Sequence, residues 1–179
     1  MVGFIGRVVA EKSVDTLVDA VENVDARLLV VGDGAELSVL RRRTAGWPEG
    51  KATFAGAVRD ADVPDYLACM DVLVLPSRTT PSWAEQFGHV LIEAMAAGVP
   101  VVGSSSGAIP EVIGDAGLVF TEGDVESLRR RLAEMLADRA LRGRLIACGR
   151  ARVECCYTNT RVAAEQVAIY RQLVKAPAP

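Results

Sequence analysis

Residues 72–102 read VLVLPSRTTPSWAEQFGHVLIEAMAAGVPVV and contain the pattern that decides the fold. An aliphatic strand ends at Leu75, and a loop rich in Ser, Thr and Pro follows it. A helix begins near Gly88 and ends at Gly98, just before a second strand. Strands without polar alternation are typical of parallel sheets whose two faces are both covered by helices. The segment therefore predicts a strand–loop–helix–strand unit of an α/β fold.

The same alternation extends over most of the chain. Short apolar runs, each followed by Gly, Pro or a polar residue, predict strands at 2–5, 27–31, 52–55, 72–75, 99–102 and 117–120. Helical periodicity predicts helices at 12–24, 35–44, 63–69, 88–97, 125–138 and 161–174. We predict a Rossmann-like parallel β-sheet of about six strands flanked by helices over residues 1–137. C-terminal helices over 138–174 would pack on the same domain, and 175–179 would form a tail.

Composition limits the class of protein. Of 179 residues, 50% are hydrophobic, which excludes a disordered chain. The 20 Lys+Arg and 23 Asp+Glu give a net charge of −3, which disfavours non-specific binding to nucleic acid or anionic lipid. No apolar run approaches the roughly 18 residues of a membrane span. The four cysteines show no CxxC spacing and there is one histidine. We therefore expect a cytoplasmic protein without nucleic-acid partner, membrane span or metal site.

Two cations follow the first predicted strand. Open parallel sheets bind ligands beyond the carboxyl ends of their strands, and Arg7 and Lys12 lie between such an end and a helix. They can hold a diphosphate together with the free N–H groups of the helix. Solvated helix-start residues are the alternative that the spacing leaves open.

Two carboxylates flank the start of the helix in the deciding segment. Glu85 and Glu93 fit a glycosidase acid–base pair, separate structural ion pairs, or two acceptors for the hydroxyl groups of one sugar-containing ligand. In the last case Gly88 would permit close approach, with the helix N-terminus facing phosphate. Glu93 lies among apolar residues, so we expect a largely buried helix and a partner for this carboxylate.

A glycine pair follows the second strand at Gly32 and Gly34. The dinucleotide fingerprint needs a third glycine, and neither it nor a P-loop motif occurs in the chain. A Rossmann oxidoreductase is therefore disfavoured. A tight turn in which Asp33 caps the next helix explains the pattern.

The ordered motifs resemble a known family. GR-x3-EK, VGDG, F-x-G-x-V, PS, EQFG-x4-EAMA-x-G-x-PVV and G-x-IPEV follow one another across residues 3–124. This order is similar to the C-terminal, donor-binding domain of retaining glycosyltransferases with the GT-B fold, in glycosyltransferase family 4, group 1. The chain would then be one half of a GT-B fold.

The resemblance implies a role for each candidate. Arg7 and Lys12 would neutralise the diphosphate of the donor, and Glu85 would hydrogen-bond the transferred sugar; these three form the catalytic set. Glu93 would accept from ribose hydroxyl groups, and the turn at 56–58 would line the base. The implied donor-binding set is Gly6, Gly56, Val58, Phe87, Gly88, His89, Val90 and Glu93. The substrate would be a UDP- or GDP-linked sugar, and no metal or cofactor is implied.

The resemblance also implies a missing half. GT-B enzymes place the active site between two Rossmann-like domains, so an N-terminal acceptor domain would have to join in cis or in trans. We expect hexosyl transfer to an acceptor hydroxyl with retention, no activity of this chain alone, and peripheral membrane association of the full-length protein as a further possibility. The alternative is a non-catalytic nucleotide-sugar-binding or assembly module that works with a separate subunit. A GT-B epimerase would need histidines that this chain lacks.

Overall fold

A computed structural model describes residues 1–175 and contains one parallel sheet. Its strands are β1 (Val2–Ile5), β2 (Leu28–Val31), β3 (Ala52–Gly56), β4 (Val72–Leu75), β5 (Val101–Ser104) and β6 (Gly117–Phe120). All pairings are parallel, in the order β3-β2-β1-β4-β5-β6. The predicted six-stranded Rossmann-like sheet is confirmed.

Helices cover both faces of the sheet. They are α1 (Val14–Glu22), α2 (Leu37–Arg43), α3 (Val63–Ala68), α4 (His89–Ala97), α5 (Ile109–Ile113), α6 (Val125–Ala137), α7 (Arg139–Arg152) and α8 (Asn159–Lys175). A π-helical turn, Val153–Tyr157, joins α7 to α8. The predicted tail at 175–179 lies outside the described residues except for Lys175, which ends α8.

Several local predictions differ from the structure, and β5 begins at Val101 and not at residue 99. The first helix begins at Val14 and not at residue 12, because a 3₁₀ turn precedes it and Ser13 has left-handed backbone angles. The five-residue α5 is too short to show helical periodicity, and it was not predicted. Edge strand β3 is not buried on both faces, because its residues alternate between half-buried and exposed.

Arginines of α6 and α7 donate hydrogen bonds to backbone carbonyl groups of neighbouring helices. Arg129 donates to backbone oxygens in the last turn of α1, Arg142 donates to the end of α6, and Arg152 donates to Glu111 and Val112 of α5. Each guanidinium satisfies carbonyl groups that a helix end leaves without partners, and it opposes the negative end of the helix dipole. Helix capping thus explains three of the arginines after residue 128.

The strand order positions the site. Between β1 and β4 the order reverses, so the connections that leave these strands run to opposite sides and open a crevice at their carboxyl ends. Gly6 and Arg7 follow β1, and Pro76 and Ser77 follow β4. Among residues 1–175 there is no helix with the length and apolar character needed to cross a membrane. Peripheral membrane association stays a prediction.

Candidate functional site

The crevice consists of three adjoining cavities of about 590, 380 and 360 Å³, and all three are lined by Ile5 and Gly6. We call the cavity lined by Arg7, Lys12 and Glu85 the charged end, and the one lined by Val58 and its neighbours the turn end. The third lies between α3 and α4. A further cavity of about 640 Å³ lies at the amino ends of β1 to β3, away from all predicted site residues.

Lys12 and Glu85 meet at the charged end. Lys12 Nζ lies 2.5 Å from Glu85 Oε2, and the two side chains are 16% and 9% exposed. Ser77 Oγ donates to the same carboxylate oxygen at 2.8 Å, and the Trp83 ring centroid lies 5.2 Å from Lys12 Nζ. A cation and a carboxylate with separately predicted roles therefore form one ion pair. Ser77 was not predicted, although the PS motif after β4 contains it.

Arg7 lines the same cavity with a side chain that is 67% exposed. Its guanidinium lies 3.6 Å from the Glu11 carboxylate in an i,i+4 pair. An exposed pair of this kind contributes little, so Arg7 can exchange Glu11 for another anion at low cost.

The N-terminus of α4 opens into the charged end. Gly88 is the N-cap residue and has left-handed backbone angles (φ 78°, ψ 59°) that favour glycine. A Cβ there would lie 2.8 Å from a Leu75 side-chain carbon. Gly88, His89 and Val90 line the cavity together with Lys12. Free helix N–H groups beside cations provide the chemistry of an anion site.

Exposed residues of α4, among them His89 and Glu93, also line the cavity between α3 and α4. His89 is exposed and its ring packs at 4.9 Å from Phe87, which contacts Tyr157 edge-on at 5.5 Å. Glu93 lines the cavity but is exposed, and it has no hydrogen bond or ion pair among residues 1–175. The expectation of a buried Glu93 with a partner is therefore wrong. Leu91, Ala94 and Met95 form the buried face of α4, and the helical rotation places Glu93 outside that face.

A left-handed backbone conformation explains Gly56 near the turn end, and close backbone approach explains Gly32. Gly56 has φ +76°, and a Cβ on Gly32 would lie 1.9 Å from the Gly6 carbonyl oxygen. Asp33 does not cap α2, because its carboxylate accepts from the N–H of Gly34 and the helix begins only at Leu37. The predicted turn is present, and the predicted cap is wrong.

Asp60 is a carboxylate of the crevice that the sequence analysis missed. It lines both the turn end and the cavity between α3 and α4. Asp62 is held by Arg59 through two hydrogen bonds, whereas the Asp60 side chain has no partner in the described part of the chain. Within residues 1–175 no group of three or more His, Cys, Asp or Glu side chains is arranged to hold a metal ion. Metal independence itself stays a prediction.

The amino-acid sequence matches the family model of the "Glycosyl transferases group 1" over residues 1–138. The chain belongs to the group 1 glycosyltransferases. It is 38% identical over 156 residues to a GDP-mannose-dependent monoacylated alpha-(1-6)-phosphatidylinositol monomannoside mannosyltransferase of Corynebacterium glutamicum, covering 83% of this chain and 41% of that protein. It is 34% identical over 144 residues to a sulfoquinovosyl transferase of Arabidopsis thaliana, covering 77% and 27%.

Solved structures of glycosyltransferases share this fold. The sucrose-phosphate synthase of Thermosynechococcus elongatus superposes with a TM-score of 0.80 at 30% identity, covering 97% of this chain and 45% of that one. The C-terminal domain of a group 1 family glycosyl transferase from Francisella tularensis superposes with a TM-score of 0.75 at 23% identity, covering 88% and 86%. The group 1 chain thus has the fold of a C-terminal GT-B domain. It spans about two fifths of the mannosyltransferase that it matches.

Proposed function

We propose that this group 1 chain is the donor-binding half of a retaining hexosyltransferase that uses a nucleotide diphosphate sugar. The observation that carries the proposal is the convergence of Arg7, Lys12, Glu85 and the α4 N-terminus on one cavity. Two cations and free helix N–H groups suit a diphosphate, and a carboxylate beside them suits sugar hydroxyl groups. The predicted site roles remain part of this proposal.

The diphosphate would serve as the leaving group. Breaking the bond between sugar and phosphate develops negative charge on the departing oxygen, which Lys12, Arg7 and the α4 amides would stabilise. These groups supply that stabilisation without a divalent ion, so we propose a metal-independent reaction.

Donor binding would rearrange the Lys12–Glu85 pair. The ammonium would exchange a carboxylate for a phosphate oxygen, and Glu85 would accept hydrogen bonds from sugar hydroxyl groups instead. The ribose would lie toward α4, where Glu93 is exposed in the adjoining cavity. The base would lie at the turn end against Val58.

The turn end favours guanine. Guanine offers two neighbouring N–H donors, which a free carboxylate accepts together, whereas uracil places carbonyl oxygens on both sides of its N–H group. Asp60 provides such a carboxylate at the turn end. The Corynebacterium relative is named as GDP-mannose-dependent, and a HepE protein of Anabaena with the same fold was solved with UDP. We therefore propose GDP-linked hexose first and UDP-linked hexose second.

Calorimetric titration of the full chain with GDP-mannose, GDP and UDP tests donor binding. Arg7→Ala should weaken GDP binding about tenfold, because one charge-assisted hydrogen bond is lost. Arg130→Ala removes an exposed arginine of α6 and should leave binding unchanged. Asp60→Asn should reduce the preference for GDP over UDP. No heat with any nucleotide at millimolar concentration would refute the proposal.

Transfer requires the other half of the enzyme. A labelled GDP-mannose assay should show no turnover by this chain alone and should show turnover after addition of an N-terminal GT-B domain. The product should retain the anomeric configuration by NMR, and EDTA should not lower the rate. Efficient transfer by the isolated chain, or an inverted product, would contradict these expectations.

A further inference from the structure

The segment of residues 76–88 carries Glu85 to the charged end. It connects β4 to α4, and the bridge between Thr80 and Trp83 is the pairing found within it. A carboxylate on an irregular segment keeps its position only if other elements hold the backbone. The contacts that hold this segment therefore decide where Glu85 lies.

The last residue of β5 and the loop that follows it hold the segment near both of its ends. Ser104 Oγ donates to the Ser77 carbonyl oxygen at 2.5 Å, and the Ala108 N–H donates to the Glu85 carbonyl oxygen at 2.8 Å. Gly107 packs directly against Glu85, since a Cβ there would lie 2.1 Å from the Glu85 carbonyl oxygen.

The middle of the segment is held from the loop after β6. The Thr79 N–H and the Thr79 hydroxyl both donate to Glu122 Oε2, at 2.8 and 2.9 Å. The Thr79 hydroxyl also lies 3.0 Å from the buried Ser106 Oγ, and the Glu122 N–H donates to Ser105 Oγ at 3.0 Å. The backbone N–H of Thr79 holds the pKa of Glu122 below its ordinary value, so this carboxyl is ionised at neutral pH. Glu122 thus links the 76–88 segment to the loops after β5 and β6, and it does not line the crevice.

We propose that Glu122 is a positioning residue for the sugar of the donor. Its carboxylate fixes Thr79, and Thr79 fixes the 76–88 segment so that Glu85 stays beside Lys12 at the charged end. The inference rests on the proposed function, because it assigns the sugar to Glu85. Free nucleotide diphosphate would contact the cations and α4 but would not hydrogen-bond the Glu85 carboxylate. Loss of the Glu122 contact should therefore weaken binding of the nucleotide sugar. The affinity for the free nucleotide should not change.

The test compares two ligands, GDP-mannose and GDP, on the full chain by calorimetry. Glu122→Ala should lower the affinity for GDP-mannose about three- to tenfold, which is the range expected for lost hydrogen bonds. The affinity for GDP should change by less than about twofold. Glu122→Gln keeps an acceptor oxygen for Thr79 and should restore most of the affinity for GDP-mannose. Glu126→Ala removes a neighbouring exposed glutamate that pairs with Arg129, and it should change neither ligand.

The outcomes separate positioning from stability. Equal weakening of both ligands, or no change with Glu122→Ala, would overturn the proposal. If that variant does not fold, Thr79→Val removes the hydroxyl contacts to Glu122 and Ser106 and keeps the backbone contact to Glu122. It should still lower the affinity for GDP-mannose relative to GDP, and an unchanged ratio would overturn the proposal.

Hydrogen exchange separates this proposal from the proposed function. Glu122→Ala should speed exchange of the Thr79 amide and its neighbours up to Glu85, and Glu122→Gln should not. If the wild-type chain binds no nucleotide, the proposed function fails and the sugar-positioning role fails with it. If the wild-type chain binds nucleotide, but Glu122→Ala changes neither the exchange rates nor the ratio of the affinities for GDP-mannose and GDP, only the role of Glu122 is overturned.

Discussion

The ion pair between Lys12 and Glu85 makes a prediction about stability that is independent of any ligand. Lys12→Met keeps the length of the side chain and removes its charge, which leaves Glu85 with Ser77 as its remaining hydrogen-bond partner among residues 1–175. Breaking a buried ion pair from one side costs about 3–5 kcal/mol. Glu85 borders a cavity of about 380 Å³ that admits water, so we expect a cost at or just below the lower limit of that range, about 2–3 kcal/mol.

A double-mutant cycle isolates the pair. Glu85→Gln alone should cost about 1 kcal/mol, because the amide oxygen still accepts from Lys12. The variant with both changes should be more stable than the sum of the single effects by about 1–2 kcal/mol, because neither charge is then left unpaired. The assay is urea unfolding followed by circular dichroism, with thermal unfolding as a second readout. For a chain of this length Lys12→Met should lower the Tm by about 5–10 °C.

An exposed pair supplies the control. Arg43 and Asp19 form an ion pair whose side chains are 46% and 31% exposed. Arg43→Met should therefore cost less than about 1 kcal/mol. A coupling energy below about 0.5 kcal/mol between Lys12 and Glu85, or equal costs for Lys12→Met and Arg43→Met, would refute the assignment of a buried, mutually dependent pair.

Two further perturbations test the support of the crevice. Gly107→Ala should destabilise the fold by about 1–3 kcal/mol, because the new Cβ meets the Glu85 carbonyl at 2.1 Å and the backbone is left-handed (φ +52°). Gly143→Ala in α7 meets no atom within 4 Å and should be neutral or stabilising by up to about 1 kcal/mol in the same urea experiment. The lowered pKa of Glu122 means that its contribution to the unfolding free energy is present above the ordinary value of 4.5 and is lost as the pH falls through the lower folded value. The stability difference between wild type and Glu122→Gln, less than about 1 kcal/mol for a partly exposed group, should therefore shrink in acid; a constant difference would contradict the Thr79 contact.

The strands were predictable because parallel strands covered on both faces must be apolar throughout. β2 and β4 are buried along their whole length, and each appears in the sequence as an uninterrupted aliphatic run. The same rule, that apolar sequence indicates burial, gave a wrong prediction for Glu93. Apolar neighbours surround this glutamate in the sequence, and only the packing of α4 shows which side of the helix faces the core.

The pairing of Lys12 with Glu85 was not predictable from spacing. The two residues lie 73 positions apart, and they meet because β1 and β4 are adjacent in the sheet. Local patterns indicate where strands begin and end but do not give their order in the sheet. A contact between residues that follow two neighbouring strands therefore cannot be predicted from them. Glu122 is a stronger case, since it acts on Glu85 only through Thr79 and the loops between them.

Both cations of the charged end lie beside a carboxylate before any ligand arrives, and this pairing favours one class of ligand. Lys12 is neutralised by Glu85, and Arg7 lies near Glu11. A free sugar offers hydroxyl groups to Glu85 but no anion to Lys12. A free diphosphate offers an anion to Lys12 but leaves Glu85 buried with only the Ser77 hydroxyl. A nucleotide diphosphate sugar replaces both partners at once, so that neither buried charge loses a partner when the pair separates. The free-state ion pair should therefore make the affinity for the joined molecule greater than the affinity for either of its parts.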